Sequence, residues 1–66
     1  MKLRELLLTM YGGEILRVKE SNIDDWWIET TPDELVNEYP KMMNMNVSRV
    51  WASHELYRAI RIVLGD

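Results

Sequence analysis

Sixty-six residues make one domain and not two, and a chain this short buries only about 60% of the surface its unfolded form exposes. With no cysteine and a single histidine, His54, it excludes disulfides, thiolate metal sites and a multi-histidine centre within one chain. The net charge of −3 and the 47% hydrophobic share describe an acidic domain with enough apolar residues for a core, to which Trp26, Trp27, Trp51, Tyr11, Tyr39 and Tyr57 add large surfaces.

In chain order, Leu3, Leu6, Leu7 and Met10 recur at i, i+3, i+4 and i+7, one face of a short helix. Gly12-Gly13 ends that pattern where a left-handed cap is expected. Glu14 to Glu20 then alternates around Leu16 and Val18, with Arg17 and Lys19 opposite, as a half-buried strand does. Ser21 to Asp24 reads as a turn, and Asp25 to Glu29, carrying Trp26, Trp27 and Ile28, as the second arm of a hairpin.

Thr31 followed by Pro32, Asp33 and Glu34 matches a capping box with proline at the first helical position and acids in the first turn. Leu35, Val36 and Tyr39 give this helix an apolar face, and Pro40 predicts that it stops or kinks near Glu38. Lys41 to Asn46, holding Met42, Met43 and Met45, is a connection with room for one further helical turn. Val47 to Ala52 has the composition of a strand, and Ser53-His54-Glu55 that of a turn. The last stretch has two readings: Leu56, Arg58, Ile60, Ile62 and Leu64 alternate as a strand, whereas Leu56, Ala59, Ile60, Val63 and Leu64 fit one face of a helix. The β-branched Ile60, Ile62 and Val63 favour the strand.

The order αββαββ implies a single α+β domain over residues 1–66, a four-stranded antiparallel sheet with two short helices on one face; the alternative makes the C-terminal segment helical. No apolar run approaches the roughly 18 residues that span a bilayer, and the apolar stretch after Met1-Lys2-Leu3-Arg4-Glu5 is too short for a secretory signal. The expectation is a cytoplasmic protein without a membrane partner.

Charge is unevenly distributed. Glu20, Asp24, Asp25, Glu29, Asp33, Glu34 and Glu38 place seven acids and no lysine or arginine between residues 20 and 40, while the segments on either side each carry +2. The plain reading is a solvated hairpin loop and helix face; the functional reading is an acidic patch that steers toward a basic partner and away from phosphate backbones. Arg49, Arg58 and Arg61 form a basic strip if the last two strands pair, the one feature that supports nucleic-acid binding in a chain whose acid excess disfavours it.

Catalytic and metal signatures are missing. Asp24, Asp25, Glu29 and Asp33 lack the alternating oxygen ligands and central glycine of a calcium loop, and read as turn and cap residues. Ser53, His54 and Glu55 are adjacent on a turn, which does not aim three side chains at one another in relay. Gly12-Gly13 lacks the further glycines and lysine of a phosphate loop. No enzyme, cofactor or metal is expected. Trp26 and Trp27 are neighbours on a predicted strand and must face opposite sides of the sheet, so one large ring lies outside the core, either packed over neighbouring stems or offered to a partner.

The chain resembles small accessory proteins of phages and prophages of Gram-positive bacteria. The residues that carry the resemblance are Leu3-Arg4-Glu5-Leu6-Leu7, the Thr31-Pro32-Asp33-Glu34-Leu35 helix start, Glu38-Tyr39-Pro40, and Val47-x-x-Val50-Trp51-Ala52. Such proteins include inhibitors of host defence, anti-CRISPR proteins among them, some of which mimic nucleic acid with acidic surfaces. The resemblance implies a phage-encoded accessory protein or inhibitor in the host cytoplasm. Together these readings predict a non-enzymatic protein-binding module that uses Asp24, Asp25, Trp27, Glu29, Asp33, Glu34 and Glu38 against a host or phage protein. The alternatives are a homo-oligomerising subunit, possible as a homodimer, and a weak nucleic-acid binder that uses Arg49, Arg58 and Arg61.

Overall fold

A computed structural model describes residues 1–22, 26–53 and 58–65. It contains helix α1 (Leu3–Leu7), strands β1 (Leu16–Glu20) and β2 (Ile28–Thr30), helix α2 (Pro32–Glu38), a short 3-10 helix (Pro40–Asn44), and strands β3 (Val47–Ser53) and β4 (Ala59–Leu64). The order αββαββ is therefore found, with the predicted extra helical turn realised by the methionine-rich segment. The C-terminal segment is a strand, as its β-branched residues favour. The turns predicted at Ser21–Asp24 and Ser53–Glu55, along with Leu56, lie partly or wholly outside the described residues.

The four strands form one sheet in the order β2-β1-β4-β3. β1 pairs antiparallel with β2 and β3 antiparallel with β4, but β1 and β4 are parallel, with Leu16 beside Ile60 and Val18 beside Ile62. The fully antiparallel sheet expected from sequence is thus corrected to a mixed one. Two hairpins are joined by a helical crossover, which carries the chain from one edge to the other and starts β3 in the same direction as β2. The hairpins then meet through the first strand of one and the second of the other, and these run the same way.

Strand alternation puts Leu16, Val18, Ile62 and Leu64 on one face, where they pack with Leu3 and Leu7 of α1, Leu35 of α2 and Met43 of the 3-10 helix. Each fully buried leucine or isoleucine contributes about 1.5–3 kcal/mol of transfer free energy, so this single cluster outweighs every surface contact in the molecule. Both helices start on identifiable caps. Thr31 Oγ1 accepts from the Glu34 N–H at 3.3 Å, and Glu5 Oε1 accepts from the Lys2 N–H at 2.7 Å.

Two sequence expectations change in detail. β2 begins at Ile28, so Trp26 and Trp27 precede it instead of forming its centre. Helix α1 closes at Leu8 with right-handed backbone, and none of the three glycines has a positive φ, so Gly12-Gly13 is not a left-handed cap. Gly12 instead lies against the exposed Asp33 carboxylate at the start of α2.

Candidate binding surface on the uncovered face of the sheet

The face of the sheet opposite the helices carries the alternate residues of each strand. Across the strand order, one row runs Glu29, Arg17, Arg61, Trp51, and the next holds Lys19, Val63 and Arg49. Arg17 pairs with Glu29 at 3.3 Å, an ion pair exposed enough that it contributes less than about 1 kcal/mol. Four cations against one carboxylate give this face a positive balance among the described residues, within a chain whose total charge is −3.

Trp27 and Trp51 join over this face. They come from the two opposite edges of the sheet, which three strand spacings place roughly 14 Å apart. Their ring centroids are nevertheless 6.0 Å apart in an edge-to-face arrangement, so both side chains lean inward above β1 and β4. The Lys19 ammonium lies 5.2 Å and the Arg61 guanidinium 4.9 Å from the Trp27 centroid, and the Arg49 guanidinium lies 5.3 Å from that of Trp51. Each such cation–ring contact is worth about 0.5–1 kcal/mol at a solvated site. Val63 and Ala59, which also face away from the helices, are buried. Trp27 is half-buried in this layer, while Trp51 keeps 39% of its surface exposed at the β3 edge.

The residues singled out from sequence do not form one patch. Trp27 and Glu29 lie on the uncovered face, surrounded by cations. Asp33, Glu34 and Glu38 are exposed on α2, whose Leu35 packs on the opposite side of the sheet. Asp24 and Asp25 lie outside the described residues. Arg49 and Arg61 share the uncovered face, the latter opposite Trp51, because β3 and β4 do pair; Arg58 is exposed just ahead of β4. Trp51, Arg17 and Lys19 were not among the site residues expected from sequence. Alternation marks each as facing away from the core, but only the strand order brings the three elements side by side.

Among the described residues no group of three or more His, Asp or Glu side chains could hold a metal ion, and every buried side-chain nitrogen or oxygen has a hydrogen-bond partner. An open groove between α1 and α2 is lined mainly by Leu7, Leu8, Met10, Val36 and Met43 and has an apolar character. Among the described residues no helix is long and apolar enough to cross a membrane. No protein-family profile, curated protein or solved structure matches this chain.

Proposed function

We propose that the protein is a non-enzymatic binding module that docks another protein on the uncovered face of its sheet, with Trp51 as anchor and Arg49 and Arg61 beside it. The observation that carries this reading is the placement of a partly exposed tryptophan among arginines on a face without helices. Tryptophan and arginine are the residues most enriched at interface hot spots, because they bury large areas and present donors at little entropic cost. The ring-to-ring contact holds the surface in its binding shape before the partner arrives, which lowers the ordering cost of association. The Arg49 guanidinium over the exposed Trp51 ring fits a carboxylate on the partner surface. The resemblance to phage accessory proteins supports a partner in a bacterial host, a defence protein among them, and an inhibitory outcome.

A second reading rests on the same cations: Arg49 and Arg61 beside Trp51 also suit a nucleic-acid strand, through phosphate contacts and base stacking. Against it, the Trp27 ring already meets Lys19, Arg61 and Trp51, which leaves it little area for a base. The acidic α2 surface, Asp33, Glu34 and Glu38, is the competing protein-docking face.

Three variants separate these readings in affinity capture from host lysate. Trp51→Ala and Arg61→Ala should each reduce recovery of the partner about tenfold or more. Combined reversal of Asp33, Glu34 and Glu38 to lysine should leave recovery unchanged; the opposite pattern would move the site to α2. A mobility shift of single-stranded DNA or RNA at low salt, lost in Trp51→Ala, would establish the nucleic-acid reading in place of the protein one.

A further inference from the structure

The second feature of β3 is its backbone. β3 is an edge strand, and its own partner bonds can be assigned by alternation. The Ile60 N–H donates to Ile15 O at 3.0 Å and Leu64 O accepts from the Ser21 N–H at 2.7 Å, so the even-numbered residues of β4 turn their peptide groups toward β1. The Gly65 N–H donates the other way, to Asn46 O at 3.0 Å. Ala59, Arg61 and Val63 therefore bond toward Ser53, Trp51 and Arg49, which leaves the N–H and C=O groups of Val50 and Ala52 pointing outward at the edge.

The first residues of the chain cover only the beginning of this edge. The Val47 N–H donates to Met1 O at 2.8 Å, and Lys2 bridges Asn46. A register shift between Val47 and Arg49 makes Ser48 an extra residue, beyond which the strand is regular. The helical layer does not close over this stretch either: Val50 shares a face with the core residue Ile62 yet is 47% exposed.

We propose that this edge pairs with the same edge of a second copy, antiparallel about a two-fold axis through Val50. A two-fold antiparallel pair keeps both copies the same way up, so a residue can only face one of equal parity. Centred on Val50, the register sets Val50 against itself with both outward peptide groups bonded, and sets Arg49 against Trp51 of the second copy, twice. Arg49 already lies over the Trp51 ring of its own chain, so the pairing extends a contact the chain makes by itself and opposes no like charges. The neighbouring register centred on Trp51 would instead face Arg49 with Ser53 and lose that match. The product is an eight-stranded sheet, β2-β1-β4-β3 continued by its reverse, with both Trp51 surfaces on one side. The inference rests on the edge and not on the proposed docking of another protein.

The test uses the full chain and a charge swap at the axis. Sedimentation equilibrium of the wild type over a dilution series should show a mass rising from 7.9 kDa toward twice that value. Val50→Lys and Val50→Glu should each remain monomeric, since each sets like charges against one another at the axis, and an equimolar mixture should recover the dimer. Circular dichroism should show both variants folded, because Val50 is half-exposed and directs its peptide groups away from β4. A wild type that stays monomeric throughout, a variant that dimerises alone, or a mixture that stays monomeric would each overturn the proposal. If Val50→Lys is a monomer that still captures the lysate partner, the edge and the docking face are separate; if the dimer forms but Trp51→Ala captures as well as wild type, only the docking reading fails.

Discussion

Trp27 owes its position to one step of alternation. Lys19 and Glu29 face away from the helices, so the residue two before Glu29 does so too, and the ring then finds Trp51 from the other edge of the sheet. Removing it should cost about 2 kcal/mol in urea unfolding, because Trp27→Ala removes the edge-to-face contact with Trp51 and the ring over which Lys19 and Arg61 lie. Leu35→Ala should cost more, about 2–5 kcal/mol, since Leu35 is fully buried in the core cluster. The coupling between Arg17 and Glu29 should stay within about 1 kcal/mol in a double-mutant cycle by the same measurement, because their ion pair is solvated. Of the tryptophans, Trp26 is 62% exposed and belongs to neither layer. The adjacency of Trp26 and Trp27 in sequence implied that one ring must lie outside the core; in fact both do, because β2 starts after them.

At the scale of elements, α2 was the most legible part of the chain. Its start is a local chemical event, Thr31 Oγ1 accepting an otherwise unpaired N–H, and its stop is the proline at position 40, so neither end needs distant residues. Thr31→Ala should lower stability by about 1 kcal/mol, with a matching loss of helical circular dichroism on heating. Helix α1 was legible in its buried face but not in its end. Five residues make too short a helix to stand alone, and it is held by packing of Leu3 and Leu7 and by the Leu3 N–H bond to Met45 O at 2.9 Å. β4 satisfied two periods on paper. What selects the strand is its place between two others: β1 supplies bonds on one side and β3 on the other, and a helix there would leave both ladders unpaired.

For the molecule as a whole, the sheet separates charge that is mixed along the chain. Among the described residues, the acids of α2 point out from the helical layer, and Arg17, Lys19, Arg49 and Arg61 lie on the other side together with Glu29. A segment-by-segment count of charge marks the acidic stretch along the chain but could not show that Glu29 lies against Arg17 while Asp33 lies on the opposite layer. A domain of this size gains or loses about 4–8 °C in Tm for each kcal/mol, so the Leu35→Ala change should be visible as a large drop in a thermal melt. The uncovered face, by contrast, should tolerate Arg49→Gln with little change in Tm, since Arg49 is exposed and its contact over the Trp51 ring is solvated.

By itself the amino-acid sequence determined what depends on neighbours within a few positions: the caps, the proline stop, the two-residue alternation that sends Leu16 and Val18 one way and Arg17 and Lys19 the other, and hence the α+β class. Only the tertiary structure decided which strands lie side by side. Residues paired between β1 and β4 are 44 positions apart in sequence, as Leu16 and Ile60 are. Their parallel pairing follows from a crossover whose path depends on how both helices bury their apolar faces over one sheet. That choice joins Trp27 to Trp51 and leaves β3 with a free edge.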